Sequence, residues 1–292
     1  MLISWPWKSH LQKPDHHATG HLRSIPNRLY PEAFTSIRKL MGVDMKSTEI
    51  VKNSLAKTAM VLLAGALVFA AGTVSAPPPA AGEEIQSSIA RGGKLYDKWY
   101  KVIKAKKPKP HPSYPADKKY AKKADSNRCK ECHGWDYRGK DGAYAKGKHY
   151  SGIEGIRASA GADPALIVAI LKDKTHRFGD KMDAGDFRDL ANFVSKGQLD
   201  LDKYIDRKTK KPKGDAAKGS AYFNTICAGC HGKDGFKPKE MKPMGAQMGN
   251  PWEVMHKILN GQPGEQMPAL RALDRQIVVD IMSHMTTLPK KR

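Results

Sequence analysis

The sequence predicts an all-α protein made of two small helical domains in tandem, and three observations carry that reading. No run of alternating apolar and polar residues argues for a strand. Helix-period patterns occur on both sides of a charged, Pro/Gly-containing segment, residues 207–214 (RKTKKPKG), which reads as a linker. Each side also holds one copy of the same short pattern, Cys-x-x-Cys-His.

Taken in order, residues 1–44 show scattered prolines and no sustained periodicity, and are expected to be an unstructured upstream extension ahead of an initiating Met45. Residues 45–76 read as a signal peptide. Lys46, Lys52 and Lys57 precede the apolar run from Ala59 to Ala71, and Val74-Ser75-Ala76 suits cleavage. At 13 residues the run is short for a bilayer span, so no stable membrane insertion is expected after cleavage; uncleaved, it would be an anchor. The first domain, 77–206, should open with an amphipathic helix from Ile89 to Ala105, apolar at Leu95, Trp99, Val102 and Ile103. The Pro- and Lys-rich stretch from Lys106 to Asp125 reads as an exposed connection. Asp163-Pro164 starts another helix, with Asp as N-cap and Pro at the first position. A third runs from Asp186 to Ser195 with Phe187, Leu190, Ala191 and Val194 on one face. The second domain, 215–292, repeats helical patterns at 216–219, 251–259 and 275–285.

Lysine and arginine outnumber acids by 51 to 29, a net charge of +22. Loss of residues 1–76 removes nine basic and four acidic residues, so 42 against 25 remain and +17 belongs to the exported chain. Such a charge points to acidic partners. Export and the lack of a base-reading motif argue against nucleic acid.

The four cysteines are Cys129, Cys132, Cys227 and Cys230, which leaves none for a disulfide framework. Each pair is followed at once by a histidine, His133 or His231, and this is the c-type haem attachment pattern. Two thiols three positions apart on a turn can both add to porphyrin vinyl groups, which puts the next imidazole beneath the iron. A single four-thiolate zinc site would leave both histidines unexplained, and a thioredoxin-like pair needs a βαβ context. The expected cofactors are therefore two haem c groups.

The second half resembles class I cytochromes c, with Gly219 and Phe223 ahead of its haem motif and Gln266-Met267-Pro268 ahead of a C-terminal helix. The resemblance implies a helical domain wrapped around a covalently bound haem, with Met267 as the sixth iron ligand opposite His231. Met241, Met244 and Met248 are the other candidates. The first half aligns without a gap through its last helix: His176, Met182-Asp183 and Asp189-Leu190 match Met267, Leu273-Asp274 and Asp280-Ile281. That register puts His176 opposite His133, with Met182 and His149 as alternatives. A bis-histidine first haem departs from the family's usual His/Met pair. Methionine favours reduced iron and a second imidazole oxidised iron, so electrons are expected to run from haem one to haem two. Two six-coordinate haems favour a carrier over an enzyme. The expectation is a periplasmic electron-transfer protein meeting acidic docking surfaces on its redox partners. The alternatives are an electron-transfer subunit of a larger oxidoreductase, such as a sulfur-compound or alcohol dehydrogenase, or a haem enzyme acting at haem one.

Overall fold

The structure is a computed structural model that describes residues 81–292. The expected upstream extension and signal peptide lie outside the described residues. What is described is helical, and among these residues the only β pairing is two isolated bridges, Gly139 with Glu154 and Ile205 with Pro212. No described helix is long and apolar enough to cross a membrane.

Helix α1 (Ala81–Val102) begins earlier than its apolar spacing indicates, because Gly82, Glu84 and Ser87 are exposed and leave no periodic apolar signal ahead of Ile89. It bends at Lys98 (φ −159°, ψ 73°). Ile89, Tyr96, Trp99 and Tyr100 recur at helical spacing and are all buried. After the motif turn α2 (Cys129–His133) come α3 (Pro164–Lys172) and α4 (Ala184–Asn192). Asp163 caps α3 by accepting from Ala165 N at 2.8 Å, with Pro at the first turn. Asp183 and Asp186 cap α4 reciprocally, and a π-helical turn, Phe193–Gly197, continues it. All four apolar residues expected on the face of this helix are buried.

The second half holds α5 (Ala216–Tyr222), α6 (Ala228–His231), α7 (Met244–Gln247), α8 (Pro251–Asn260) and α9 (Arg275–Met285). Here the periodicity places the helices to within a turn.

The two halves repeat one helix crossing. In the first, Gly92 lies so close to α4 that a Cβ would stand 2.0 Å from Asp189 O; in the second, one on Gly219 would stand 1.8 Å from Asp280 O. Four residues after each glycine is a buried aromatic, Tyr96 or Phe223. Four before it, Ser88 Oγ and Asp215 N donate to the carboxylates of Asp189 and Asp280, at 2.7 and 2.8 Å. These are the Asp positions that the sequence alignment equates.

Segment 106–125 is more than an exposed connection: Tyr114 is buried, and His111 is tied to Ser126 and His176. The charged segment 207–214 is a closed turn in which Asp206 N donates to Lys211 O and Lys213 N to Tyr204 O, at 2.9 and 2.8 Å. Arg207 pins it to Asp136 and Asp202, both at 2.7 Å. The described residues form one compact unit, with an apolar core that runs from Trp135 and Phe193 to Met255 and Ile281.

Candidate functional site

Both Cys-x-x-Cys-His patterns fold into the same short turn. His133 ends α2 and His231 ends α6, and each is followed by a glycine at positive φ, Gly134 (75°) and Gly232 (76°). That conformation strains any side chain with a Cβ, so glycine ends both turns. Six residues beyond each histidine the chain returns: Gly139 N donates to His133 O and Lys237 N to His231 O, both at 2.9 Å. The imidazoles are oriented alike. His133 Nδ1 donates to Glu154 O at 2.7 Å and His231 Nδ1 to Lys237 O at 3.3 Å. With Nδ1 bonded to a carbonyl, the lone pair on Nε2 is left for a metal. Burial pushes the His133 pKa down to about 4, which keeps the ring neutral as ligation requires.

Sequence reasoning missed that the repeat extends to Cys-His-Gly-x-Asp. Asp136 Oδ2 accepts from Ala143 N at 2.8 Å and Asp234 Oδ1 from Phe236 N at 3.0 Å, so each carboxylate shapes the loop behind its histidine. The signal was present in the sequence as CHGWD and CHGKD.

The structure brings His176 to His133. Their rings have centroids 6.3 Å apart and planes 27° from parallel. Two imidazoles binding one metal from opposite sides, at about 2 Å each, have centroids on the order of 6 Å apart. His176 is fixed from behind: Asp173 Oδ1 lies 3.2 Å from its Nδ1 and accepts its backbone N–H at 2.7 Å, while its carbonyl accepts from His111 Nε2 at 2.8 Å. His111 was not singled out in the sequence. The other two candidates are placed differently. Met182 is buried in the core. His149 is stacked between Tyr144 and Tyr120, centroids 4.5 and 5.1 Å away, with Nδ1 2.8 Å from Glu131 and Nε2 3.5 Å from the Tyr120 hydroxyl. Neither of its ring nitrogens is free.

In the second half, Cys227, Cys230, His231 and Met267 line one cavity of about 890 Å³. Cofactor-sized sites run to about 300–1,000 Å³. Ile258, Leu270, Ile281 and Met285 give it apolar walls suited to a flat macrocycle. Met241 and Met244 also line it, and Met248 does not.

All four cysteines are free. Burial pushes the thiols of Cys129 and Cys132 up to about 12 and that of Cys227 up to about 11. Among the described residues no three His, Cys, Asp or Glu side chains converge on a metal-sized centre, so the two pairs do not build a common thiolate site.

Residues 214–285 match the family model described as cytochrome C oxidase, cbb3-type, subunit III. No curated protein and no solved structure matches the chain. The matched segment is the one in which two cysteines, a histidine and a methionine meet in one cavity, and the match supports a c-type cytochrome, whose domain implies covalently bound haem c and haem-based electron transfer.

Proposed function

We propose that this protein is a dihaem electron carrier of the periplasm, and the approach of His176 to His133 is the observation that carries the dihaem reading. Haem supplies reversible one-electron chemistry; the chain's residues fasten it and set its potential. Cys129 and Cys132 would tether the first group, and His133 and His176 would ligate its iron. Cys227 and Cys230 would tether the second, with His231 and Met267 as ligands. Two imidazoles would favour the oxidised state of the first centre and a thioether the reduced state of the second, which would send electrons from the N-terminal to the C-terminal haem. Neither site leaves an axial position for substrate, which favours a carrier over an enzyme.

A basic groove supports an acidic partner. Lys94, Lys98 and Lys101 recur along α1, joined by Lys104 and Lys107 against two acids, Asp125 and Glu265, and Gln262 and Gln266 lie in the groove just ahead of Met267. Charge of one sign beside the electron's exit speeds encounter with the opposite sign and makes it sensitive to salt. Export rests on the apolar run 59–71 with its lysines.

The test is a count followed by a titration. Pyridine haemochrome and intact mass should give two haems per mature chain, and a redox titration two midpoints with the bis-histidine centre lower. One haem, equal midpoints or the reverse order would overturn the assignment. A second reading, an electron-transfer subunit of a larger oxidoreductase, is favoured by the matched family's description as an oxidase subunit. Stable co-purification with a catalytic chain is its signature.

A further inference from the structure

The cavity of the second half is not walled by that half alone. Asp97 and Lys98 of α1 line it, as does Arg128, which stands immediately before Cys129 of the first motif. They meet Lys257 of α8 there. The Asp97 carboxylate is 1% exposed; it accepts from the Arg128 guanidinium on one oxygen and from Lys257 Nζ at 2.6 Å on the other. Arg128 Nε donates to Asp97 O at 2.8 Å, and Lys257 also donates to Gln262 Oε1 at 2.6 Å.

Two cations thus share one buried carboxylate. Of the remaining acids nearby, Glu131 is buried with Oε1 4.0 Å from Arg128, but its oxygens are taken up by Lys130 and His149; Asp125 lies 3.1 Å from Arg128 but also pairs with Lys98, and Glu253 is 3.8 Å from Lys257, both about one-third exposed, at 31% and 32%. Glu240 and Glu265 on the same wall are exposed. A guanidinium has five N–H donors and an ammonium three. Arg128 uses its Nε–H and one donor on each terminal nitrogen, and Lys257 uses two, so donors are left over on both. Spare donors on two largely buried cations that line the cavity call for an acceptor there, since a donor left without one out of water is costly. A porphyrin fastened through its vinyl edge carries two propionate carboxylates on the edge away from the thioethers.

We infer that Arg128 and Lys257 hold a propionate carboxylate of the C-terminal haem, with Asp97 as the positioning residue that fixes both cations. The inference rests on the reading that residues 215–292 hold haem c. It makes the first half part of the second haem's site, and it sets one guanidinium beside both attachment sequences.

The test uses the full holoprotein. Haem per chain is counted for the wild type and for K257M, K257R, D97N and K218M, the last an exposed lysine outside the cavity; both midpoints are then titrated. A cation at the propionate disfavours the extra positive charge of ferric iron. K257M should therefore lower the C-terminal midpoint by about a tenfold change in the reduction equilibrium, about 59 mV for one electron. D97N should raise it, K257R should restore it, and K218M should leave it near wild type. A K257M shift no larger than that of K218M overturns the inference, as does an equal shift at both haems. If K257M does not assemble, K257Q is judged by the same criterion. A wild type without haem on residues 215–292 defeats the underlying reading instead, and the count shows which of the two has failed.

Discussion

His176 meets His133 because Asp173 holds both its backbone N–H and its ring, while Glu154 O holds the facing ring. On the proposed dihaem reading, replacing His176 by alanine should turn the N-terminal haem high-spin in low-temperature electron paramagnetic resonance, whereas Met182→Leu should leave it low-spin. A low-spin signal surviving in H176A would remove His176 from the iron. In the second cavity Met267→Ala should lower the C-terminal midpoint, while Met241→Leu and Met244→Leu leave it in place. If M267A leaves that midpoint unchanged and either leucine variant lowers it, the ligand is one of the other two methionines. The two Cys-x-x-Cys-His turns were readable in the sequence because their residues are contiguous and their spacing is fixed. His111, Glu154 and Asp173 were not, since each acts through a backbone atom or a turn geometry that no local pattern encodes.

Between the elements, the helix crossings and the junction of α1 with α8 carry the stability arguments. Gly92 and Gly219 let each helix pair touch backbone to backbone, and an added methyl has no room. G219A should cost about 1–3 kcal/mol, as overpacked cores do, read as a lower urea midpoint. An unchanged midpoint would show that the crossing relaxes freely. His256 of α8 is buried and donates through Nε2 to Gly93 O at 2.8 Å. Burial lowers its pKa from 6.5 to about 4, so the unfolded chain takes up its proton first. Its share of stability is full above pH 6.5 and is lost as pH falls towards 4, about 3 kcal/mol at roughly 1.4 kcal/mol per unit. H256Q should flatten that slope in urea titrations at pH 7, 5 and 4; an equally steep loss in the variant would assign it to other groups. The periodic helices were readable because apolar spacing and Asp or Pro at the first turn are local signals. The start of α1 was not, because exposed Gly82, Glu84 and Ser87 leave no stripe ahead of Ile89.

At the scale of the whole molecule, the two repeats share one interior. His256 lies 4.8 Å from Trp135, ring to ring, and Arg271 reaches across to Gly197 O at 3.2 Å. Calorimetry of the holoprotein should therefore show one unfolding transition; two resolved transitions would mean that the halves are held together only by their connection. Electron transfer to an acidic partner should slow as ionic strength rises, and a salt-independent rate would take the lysine groove out of docking. A repeat could be read from sequence, but not its fusion into one core, because contacts between distant segments leave no spacing to find. Adjacent glycines on α1 face different neighbours: Gly92 meets α4, and Gly93 meets the Asn260 side chain at the end of α8. A single residue inserted or deleted ahead of them would swing the doublet by about 100° and unseat both neighbours together. A difference in length is found in the loops instead: the carbonyl that holds His133 Nδ1 lies 21 residues on, at Glu154, and the one that holds His231 Nδ1 only 6 residues on, at Lys237.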